Sequence, residues 1–227
     1  EMLTGDMVAR ACRNIELDAK LIFIVDSADP LRRVYDFLDD SYEKYVGHPL
    51  FTIPAPDEAG KPCTDGTMYH THFLEAFTDS LEELAIDFEV CFNHQLYRDG
   101  KYSSCIRSAC EKKDELKEII ERVSGREVPD GWYPFNPVGS DGSMDGVTVT
   151  GFDWPYISWL DSHGVEGESD VSQAKFVGKL PWRIEWPSKW KILDVSYEAF
   201  GKDHGAAGGT FDTAKEICRL LHGIDAP

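Results

Sequence analysis

The hydrophobic residues of this chain alternate between helical spacing and short unbroken runs. Over roughly residues 2–14 the apolar side chains recur every three or four positions, which predicts an amphipathic helix packed on one face. The run Leu21–Val25 that follows is unbroken and rich in β-branched residues. Such a run is typical of a strand covered on both faces, as in a parallel sheet flanked by helices. Asp26 and Asp29 end this strand, at the place where open α/β sheets bind ligands.

The same alternation continues through the first half of the chain. Glycine and proline recur over residues 47–66 and predict an irregular surface segment. A helix is predicted over about residues 69–86, a second strand over 88–92 and another helix over about 103–122. Strands that alternate with helices predict a doubly wound α/β fold.

A change in pattern marks an insertion. From Pro129 to about Lys179, glycines separate short alternating segments, which predicts a small antiparallel β-rich module. We therefore divide the chain into a Rossmann-type parallel-sheet domain in two parts, residues 1–128 and 181–227, and an inserted module over residues 129–180.

The α/β pattern resumes after the insertion. The sequence predicts a helix over Pro187–Leu193, a strand over Val195–Phe200, a loop over Gly201–Gly209 and a helix over Phe211–His222. The loop therefore joins the carboxyl end of a predicted strand to the start of a helix.

Composition and charge restrict the function. The 227 residues carry 41 acidic and 23 basic side chains, a net charge of −18, which argues against broad, non-specific binding of nucleic acid. Nucleic acid is expected only on a local patch. No run approaches the ~18 apolar residues that cross a bilayer, so no membrane association is expected. The six cysteines form no CxxC pair, which indicates free thiols in a reducing, cytoplasmic compartment.

The glycine-rich loop is the first candidate site. Residues 200–210 are Phe-Gly-Lys-Asp-His-Gly-Ala-Ala-Gly-Gly-Thr. Glycine permits close approach of the backbone to a ligand, and N–H groups at the start of the next helix attract anions. Asp203 suits the hydroxyls of a ribose, and His204 suits a phosphate or carboxylate. The alternative is a glycine-rich turn in which Asp203 and Thr210 act as local caps.

A tryptophan-rich segment is the second candidate site. Residues 181–190 are Pro-Trp-Arg-Ile-Glu-Trp-Pro-Ser-Lys-Trp, with Arg183 and Glu185 between the tryptophans. An aromatic wall beside a carboxylate suits an aliphatic ammonium group, which is attracted to both. The alternative, which composition alone favours, is that the tryptophans pack the insertion onto the sheet.

Other chemistries find no support in the residues. The histidines lack metal-ligand spacing with cysteines or carboxylates, so no metal site is assigned. A GxSxG elbow, a Walker loop and a GxGxxG fingerprint do not occur, which counts against hydrolases, P-loop proteins and dinucleotide-binding proteins. No catalytic residue is assigned.

Taken together, these blocks resemble the catalytic domain of class I, archaeal-type lysyl-tRNA synthetases. The blocks Trp182–Trp190, Phe200–His204 and Gly208–Thr213 carry the resemblance in their residues and in their spacing. Further blocks that support it lie at residues 3–11, 25–33, 69–73 and 97–102.

The resemblance implies a class I Rossmann-type fold that forms lysyl-adenylate from lysine and ATP with Mg²⁺ and then transfers lysine to tRNA(Lys). By position in these blocks, the ATP-binding residues are Gly201, Asp203, Gly208 and Gly209. By the same comparison the lysine-binding residues are Trp182 and His204, with Asp26 and Asp29 as candidates at the edge of the pocket. Glu185, the carboxylate beside the aromatic wall, is a further lysine-binding candidate.

The chain also departs from the family pattern. Members often carry a cysteine-based zinc site in the insertion, but no cysteine lies between Cys110 and Cys218. We therefore expect no structural zinc and an insertion held by packing alone. The stretch at Ser27 and Ala28 lacks the usual acidic and aromatic residues. The His-Ile-Gly-His-type and Lys-Met-Ser-Lys-Ser-type signatures, which contact ATP phosphates in the family, do not occur in these residues.

We therefore expect the chain to be a fragment of a catalytic domain that does not activate lysine by itself. Lysine-dependent ATP–pyrophosphate exchange by the isolated 227 residues would contradict this expectation. The alternative function is that of a non-catalytic paralogue that binds lysine, nucleotide or a protein partner.

Overall fold

The computed structural model describes residues 1–227. Helix α1 spans Met2–Asn14, as its apolar spacing predicts. The face that it buries differs from the prediction, because Asp6 is buried whereas Leu3 and Met7 are largely exposed. The helix is rotated so that smaller side chains line a groove beside the sheet, and the two large apolar residues point away from it.

Two parallel strands form the central sheet. Strand β1 (Ile22–Val25) pairs with β2 (Glu89–Phe92) in parallel, and helix α2 (Tyr69–Glu83) crosses between them. A parallel pair requires such a crossover. The prediction that β1 is covered on both faces is wrong, because all its residues are only partly buried. One edge of β1 pairs with β2, and the other borders an open groove.

The segment between β1 and α2 is irregular, as its glycines and prolines predict. It contains two short 3-10 helices, Asp40–Tyr45 and Leu50–Thr52. It also has a small hydrophobic core that includes Tyr42 and Ile53. The buried Tyr42 ring directs its hydroxyl to the carbonyl of Pro54 at 2.9 Å, which satisfies the phenol inside this core.

Three helices follow β2: α3 (Asn93–Arg98), α4 (Ser103–Glu111) and α5 (Lys113–Ser124). The prediction of one continuous helix after residue 103 is wrong, because the backbone leaves the helical region at Lys112, with φ −111° and ψ 29°. The Lys112 ammonium donates to the carbonyl of Leu220 at 2.8 Å. This long-range contact ties the break to the last helix of the chain.

The antiparallel strands predicted within residues 129–180 are confirmed. Strands β3 (Asn136–Pro137) and β7 (Gly178–Lys179) pair with each other. Between them β4 (Thr148–Asp153), β5 (Tyr156–Leu160) and β6 (Glu166–Asp170) form an antiparallel sheet in that order. Buried side chains of this sheet share one hydrophobic core with α3, α4 and α5.

A buried carboxylate also holds the insertion. Asp161 follows β5 and accepts hydrogen bonds from the backbone N–H groups of His163 and Val165, both at 2.9 Å. The Ser140 hydroxyl donates to it as well. These donors, the hydroxyl first, lower the pKa of Asp161 to about 2. The expectation that packing alone holds the insertion is therefore wrong.

Replacing Asp161 with asparagine is expected to lower the melting temperature of the protein by roughly 3–8 °C at pH 7, because several hydrogen bonds are lost or weakened. The native pKa of Asp161, about 2, lies below that of the unfolded chain, 3.8. Its contribution is therefore complete above about pH 4 and is lost as the pH falls toward 2.

Thermal unfolding of wild type and D161N at pH 7, 5 and 3 measures this contribution. The difference between the two proteins should shrink toward pH 3. Asp145→Asn is the matched control, since Asp145 lies in the same insertion with an exposed side chain. An equal loss in D161N and D145N would contradict the assignment.

Two helices end the chain, α6 (Trp182–Leu193) and α7 (Thr210–His222). Helix α6 begins before the predicted start at Pro187, which lies inside it. The prediction of a strand over Val195–Phe200 is wrong. These residues face the groove and pair with no strand, and a strand requires a hydrogen-bonded neighbour. None of the helices has the length and apolar character needed to cross a membrane.

Candidate functional site

An open groove of about 770 Å³ runs beside β1. Helix α1 and the free edge of β1 form one wall, and α6 with residues 193–200 forms the other. Most of the lining is apolar. Near the carboxyl end of β1 the lining becomes polar and aromatic, and it includes Asp26, Trp182, Lys189 and His204.

These four side chains define the polar end of the groove. Asp26 directly follows β1, and its side chain is 41% exposed. The Lys189 ammonium pairs with Asp26 and lies 4.7 Å from the centre of the Trp182 ring. The rings of Trp182 and His204 are 6.3 Å apart. The structure therefore brings together three of the predicted lysine-binding residues, Asp26, Trp182 and His204.

The two other predicted lysine-binding residues lie outside the groove. Glu185 is completely buried, and its Oε2 atom is 3.1 Å from Nζ of Lys179 and 3.4 Å from Nζ of Lys189. Asp29 pairs with Lys179 and borders a separate, shallow depression. Lysines of the protein itself pair with both carboxylates, and unlike Asp26 neither of them lines the groove.

Glu185, Lys179 and Lys189 stay charged although burial favours their neutral forms. Burial raises the pKa of Glu185, but the ammonium groups of Lys179 and Lys189 outweigh it and hold that pKa below its usual value. Burial likewise lowers the pKa of each lysine, but Glu185 together with Asp29 or Asp26 outweighs it and holds both pKa values above the usual one. Glu185 and the two lysines are therefore charged at neutral pH.

The buried tryptophans pack against α7. Trp186 and Trp190 are each 2% exposed and share a cluster with Cys218. Both indole N–H groups donate to the carboxylate of Glu198, which ties residues 193–200 to α6. The alternative that the tryptophans pack the insertion onto the sheet is therefore wrong. Trp182, at the start of α6, is less buried than these two tryptophans, and both Trp182 and Trp186 border the groove.

In the second half of the glycine-rich loop, backbone N–H groups already donate hydrogen bonds to acceptors of the protein. The Gly208 N–H donates to the Asp212 carboxylate at 3.0 Å, and the Gly209 N–H donates to the Ala206 carbonyl at 2.7 Å. Gly208 has a φ of +71°, and a Cβ atom at Gly209 would lie 2.5 Å from the Ala206 oxygen. Both positions therefore require glycine to form the turn itself.

The first half of the loop is more open. The Asp203 side chain is 79% exposed, and its Oδ2 atom is 3.9 Å from Nε2 of His204. None of the predicted ATP-binding residues lines the groove: Gly201, Asp203, Gly208 and Gly209. The capping carboxylate of the turn is Asp212, not Asp203 as the alternative had it. No cluster of three His, Cys, Asp or Glu side chains is arranged to hold a metal ion.

Several residues of the site were not identified from the sequence: Lys179, Lys189, Tyr97 and Glu198. The Tyr97 hydroxyl donates to Oε1 of Glu185 at 2.7 Å and accepts from the Leu180 N–H at 2.9 Å. One signal was present, because Glu185 and Lys189 are four positions apart in a helix and so share a face. The other contacts join distant parts of the chain and leave no local pattern.

The β1–α2–β2 unit, with polar side chains at the carboxyl end of β1, places the chain among α/β proteins with parallel strands, which commonly bind ligands at that end. A family model described as "tRNA synthetases class I (K)" matches residues 1–227. The chain belongs to this family, the class I tRNA synthetases for lysine.

Curated relatives are similar over the whole chain. It is 40% identical over 228 residues to the lysine–tRNA ligase of Thermoplasma volcanium and 41% identical over 228 residues to that of Archaeoglobus fulgidus. It is 40% identical over 233 residues to lysine–tRNA ligase 1 of Methanosarcina acetivorans. Each comparison covers 100% of this chain but only 42–44% of the relative. The chain thus spans less than half the length of these relatives.

Proposed function

We propose that the protein containing this chain activates lysine with ATP and transfers it to tRNA(Lys), and that the chain forms part of its catalytic domain. The observation that carries this proposal is the polar end of the groove, which the Asp26 carboxylate, the Trp182 ring and the His204 imidazole line together. Membership in the family and the names of the relatives support the same activity.

The polar end of the groove has the chemistry that a lysine side chain needs. Its ammonium group is attracted by the exposed carboxylate of Asp26 and by the face of Trp182. Its four methylene groups lie against apolar surface, which the indole also offers. His204 then binds the α-carboxylate, as a hydrogen-bond donor beside the Trp182 ring.

ATP enters the reaction as its Mg²⁺ complex, which is a substrate. A carboxylate oxygen of lysine attacks the α-phosphorus in line, the bond to pyrophosphate breaks, and lysyl-adenylate forms. A terminal ribose hydroxyl of the tRNA then attacks the lysyl carbonyl, and AMP leaves. The chain contributes mainly by holding the reactants in position.

For ATP we propose contacts with the glycine-rich loop. Asp203 has the exposure to accept the ribose hydroxyls, and Gly201 lets the backbone approach the sugar. Gly208 and Gly209 keep the loop in its turn beside the nucleotide, since their own N–H groups are engaged within the loop.

Lysine-dependent ATP–pyrophosphate exchange by the full-length protein tests this function. We expect exchange with lysine and none with norleucine, which has the same four side-chain carbons as lysine but lacks the ammonium group that Asp26 and Trp182 attract. Absence of exchange with lysine contradicts the proposal. If calorimetry then still detects lysine binding, the protein is a non-catalytic lysine-binding paralogue.

A further inference from the structure

A chain of alternating charges runs beneath the polar end of the groove. It links β1, β7 and α6 through ion pairs in this order: Asp29, Lys179, Glu185, Lys189 and Asp26. The three central side chains are almost completely inaccessible, with exposures of 5% for Lys179, 0% for Glu185 and 3% for Lys189. Water therefore screens these pairs poorly.

The two ends of the chain of charges differ. Asp29 pairs with Lys179 and has a second cation, Arg32, 3.4 Å from its Oδ2 atom. Asp26 has a single cation partner, Lys189, and shares it with Glu185. The Oδ1 atom of Asp26 makes this contact, and no protein group donates to Oδ2. Asp26 thus has fewer cations around it than Asp29, and its Oδ2 atom accepts no hydrogen bond from the protein.

Lys189 also contacts the aromatic wall. Its Nζ atom lies 4.7 Å from the centre of the Trp182 ring, so one ammonium group touches both side chains that our proposed function assigns to the ammonium of lysine. Glu185 fixes Nζ from the opposite side at 3.4 Å. With only 3% of its side chain exposed, Lys189 is placed to support the site from beneath.

We propose that Lys189 is a positioning residue for lysine binding. It holds the Asp26 carboxylate with one oxygen directed to the groove, and it holds the Trp182 ring at the angle that the substrate meets. Glu185 and Lys179 keep Lys189 in place. This inference rests on the proposed function, because it assigns a role within the lysine site.

The test is Lys189→Met in the full-length protein, with KM values for lysine and ATP measured by pyrophosphate exchange. Methionine keeps the apolar stem and removes the ammonium group. We expect the KM for lysine to rise about 10-fold, with kcat and the KM for ATP within about 2-fold of wild type. Lys189→Arg should restore part of the affinity, because it keeps the positive charge beside Asp26 and Trp182 but carries a larger, planar group.

Lys191→Met is the matched control, since Lys191 lies on the exposed side of the same helix. This substitution should leave every kinetic constant unchanged.

A second variant, K189M/E185Q, also removes the negative charge of Glu185, which in K189M has lost one of its two ammonium partners. It should fold better than K189M but keep the raised KM for lysine. If K189M does not fold, the double variant gives the result.

An unchanged KM for lysine in these variants overturns the inference. So does an equal rise in the KM for lysine and for ATP, or a wild-type KM for lysine in K189M/E185Q, since each would mean that Lys189 acts only on stability. Failure of the proposed function is distinguishable, because wild-type protein would then show no lysine-dependent exchange at all.

Discussion

Replacing Glu185 with glutamine is expected to lower the free energy of unfolding by ~3–5 kcal/mol, the cost of removing one partner from a buried ion-pair network. Glutamine has the same shape but leaves Lys179 and Lys189 without the negative charge that lies between them. The melting temperature should fall by roughly 6–20 °C. Thermal and denaturant unfolding followed by circular dichroism measure both quantities.

The same substitution at an exposed ion pair provides the control. Glu111 pairs with Arg107 at 2.8 Å, and its side chain is 49% exposed. Glu111→Gln should cost only about 0–1 kcal/mol, because water screens this pair and solvates either partner alone. If E185Q were as stable as E111Q, the description of Glu185 as the charged centre of the buried cluster would be wrong.

Replacing Trp182 with alanine is expected to raise the KM for lysine by about 10- to 50-fold in pyrophosphate exchange by the full-length protein. The ring offers the substrate ammonium a π face and its methylene groups apolar cover, together about 1.4–2.3 kcal/mol. It also contacts Lys189. The KM for ATP should stay within about 2-fold, because the proposed ribose contacts lie in the glycine-rich loop.

Two further variants distinguish the loss of the aromatic ring of Trp182 from a general loss of folding or activity. Trp182→Phe keeps an aromatic face and should raise the KM for lysine only a few-fold. Trp154→Phe changes a tryptophan of the insertion that packs on the main core and contacts Arg107, away from the groove, and should leave lysine kinetics unchanged. Equal lysine kinetics in W182A and wild type would remove Trp182 from the lysine site.

Local patterns were sufficient for most helices and strands. Helix α1, both strands of the parallel pair, the antiparallel insertion and α7 follow from apolar spacing and from glycine positions, which act over neighbouring residues. The break at Lys112 was not predictable in this way, because its side chain bonds to Leu220, 108 positions further along the sequence. Residues 195–200 carry a strand-like pattern, but no neighbouring strand completes it.

The candidate site was predictable only in part. Residue types together with the family resemblance identified Asp26, Trp182 and His204, and the structure places all three at one end of a groove. The same reasoning also selected Glu185, because a carboxylate near tryptophans suits an ammonium group. Packing decides which ammonium groups lie beside the Glu185 carboxylate. In the fold these are the ammonium groups of Lys179 and Lys189.

Sequence patterns thus determined the family of this chain, the order of most of its elements and the residue types of its site, because spacing and short motifs record local geometry. Tertiary structure alone decided which charges face the groove and which are buried. Tyr97 reaches Glu185 across 88 positions of sequence, and Lys179 reaches Asp29 across 150. Such pairs form only when folding removes water from both partners, and desolvation then determines the strength of their interaction.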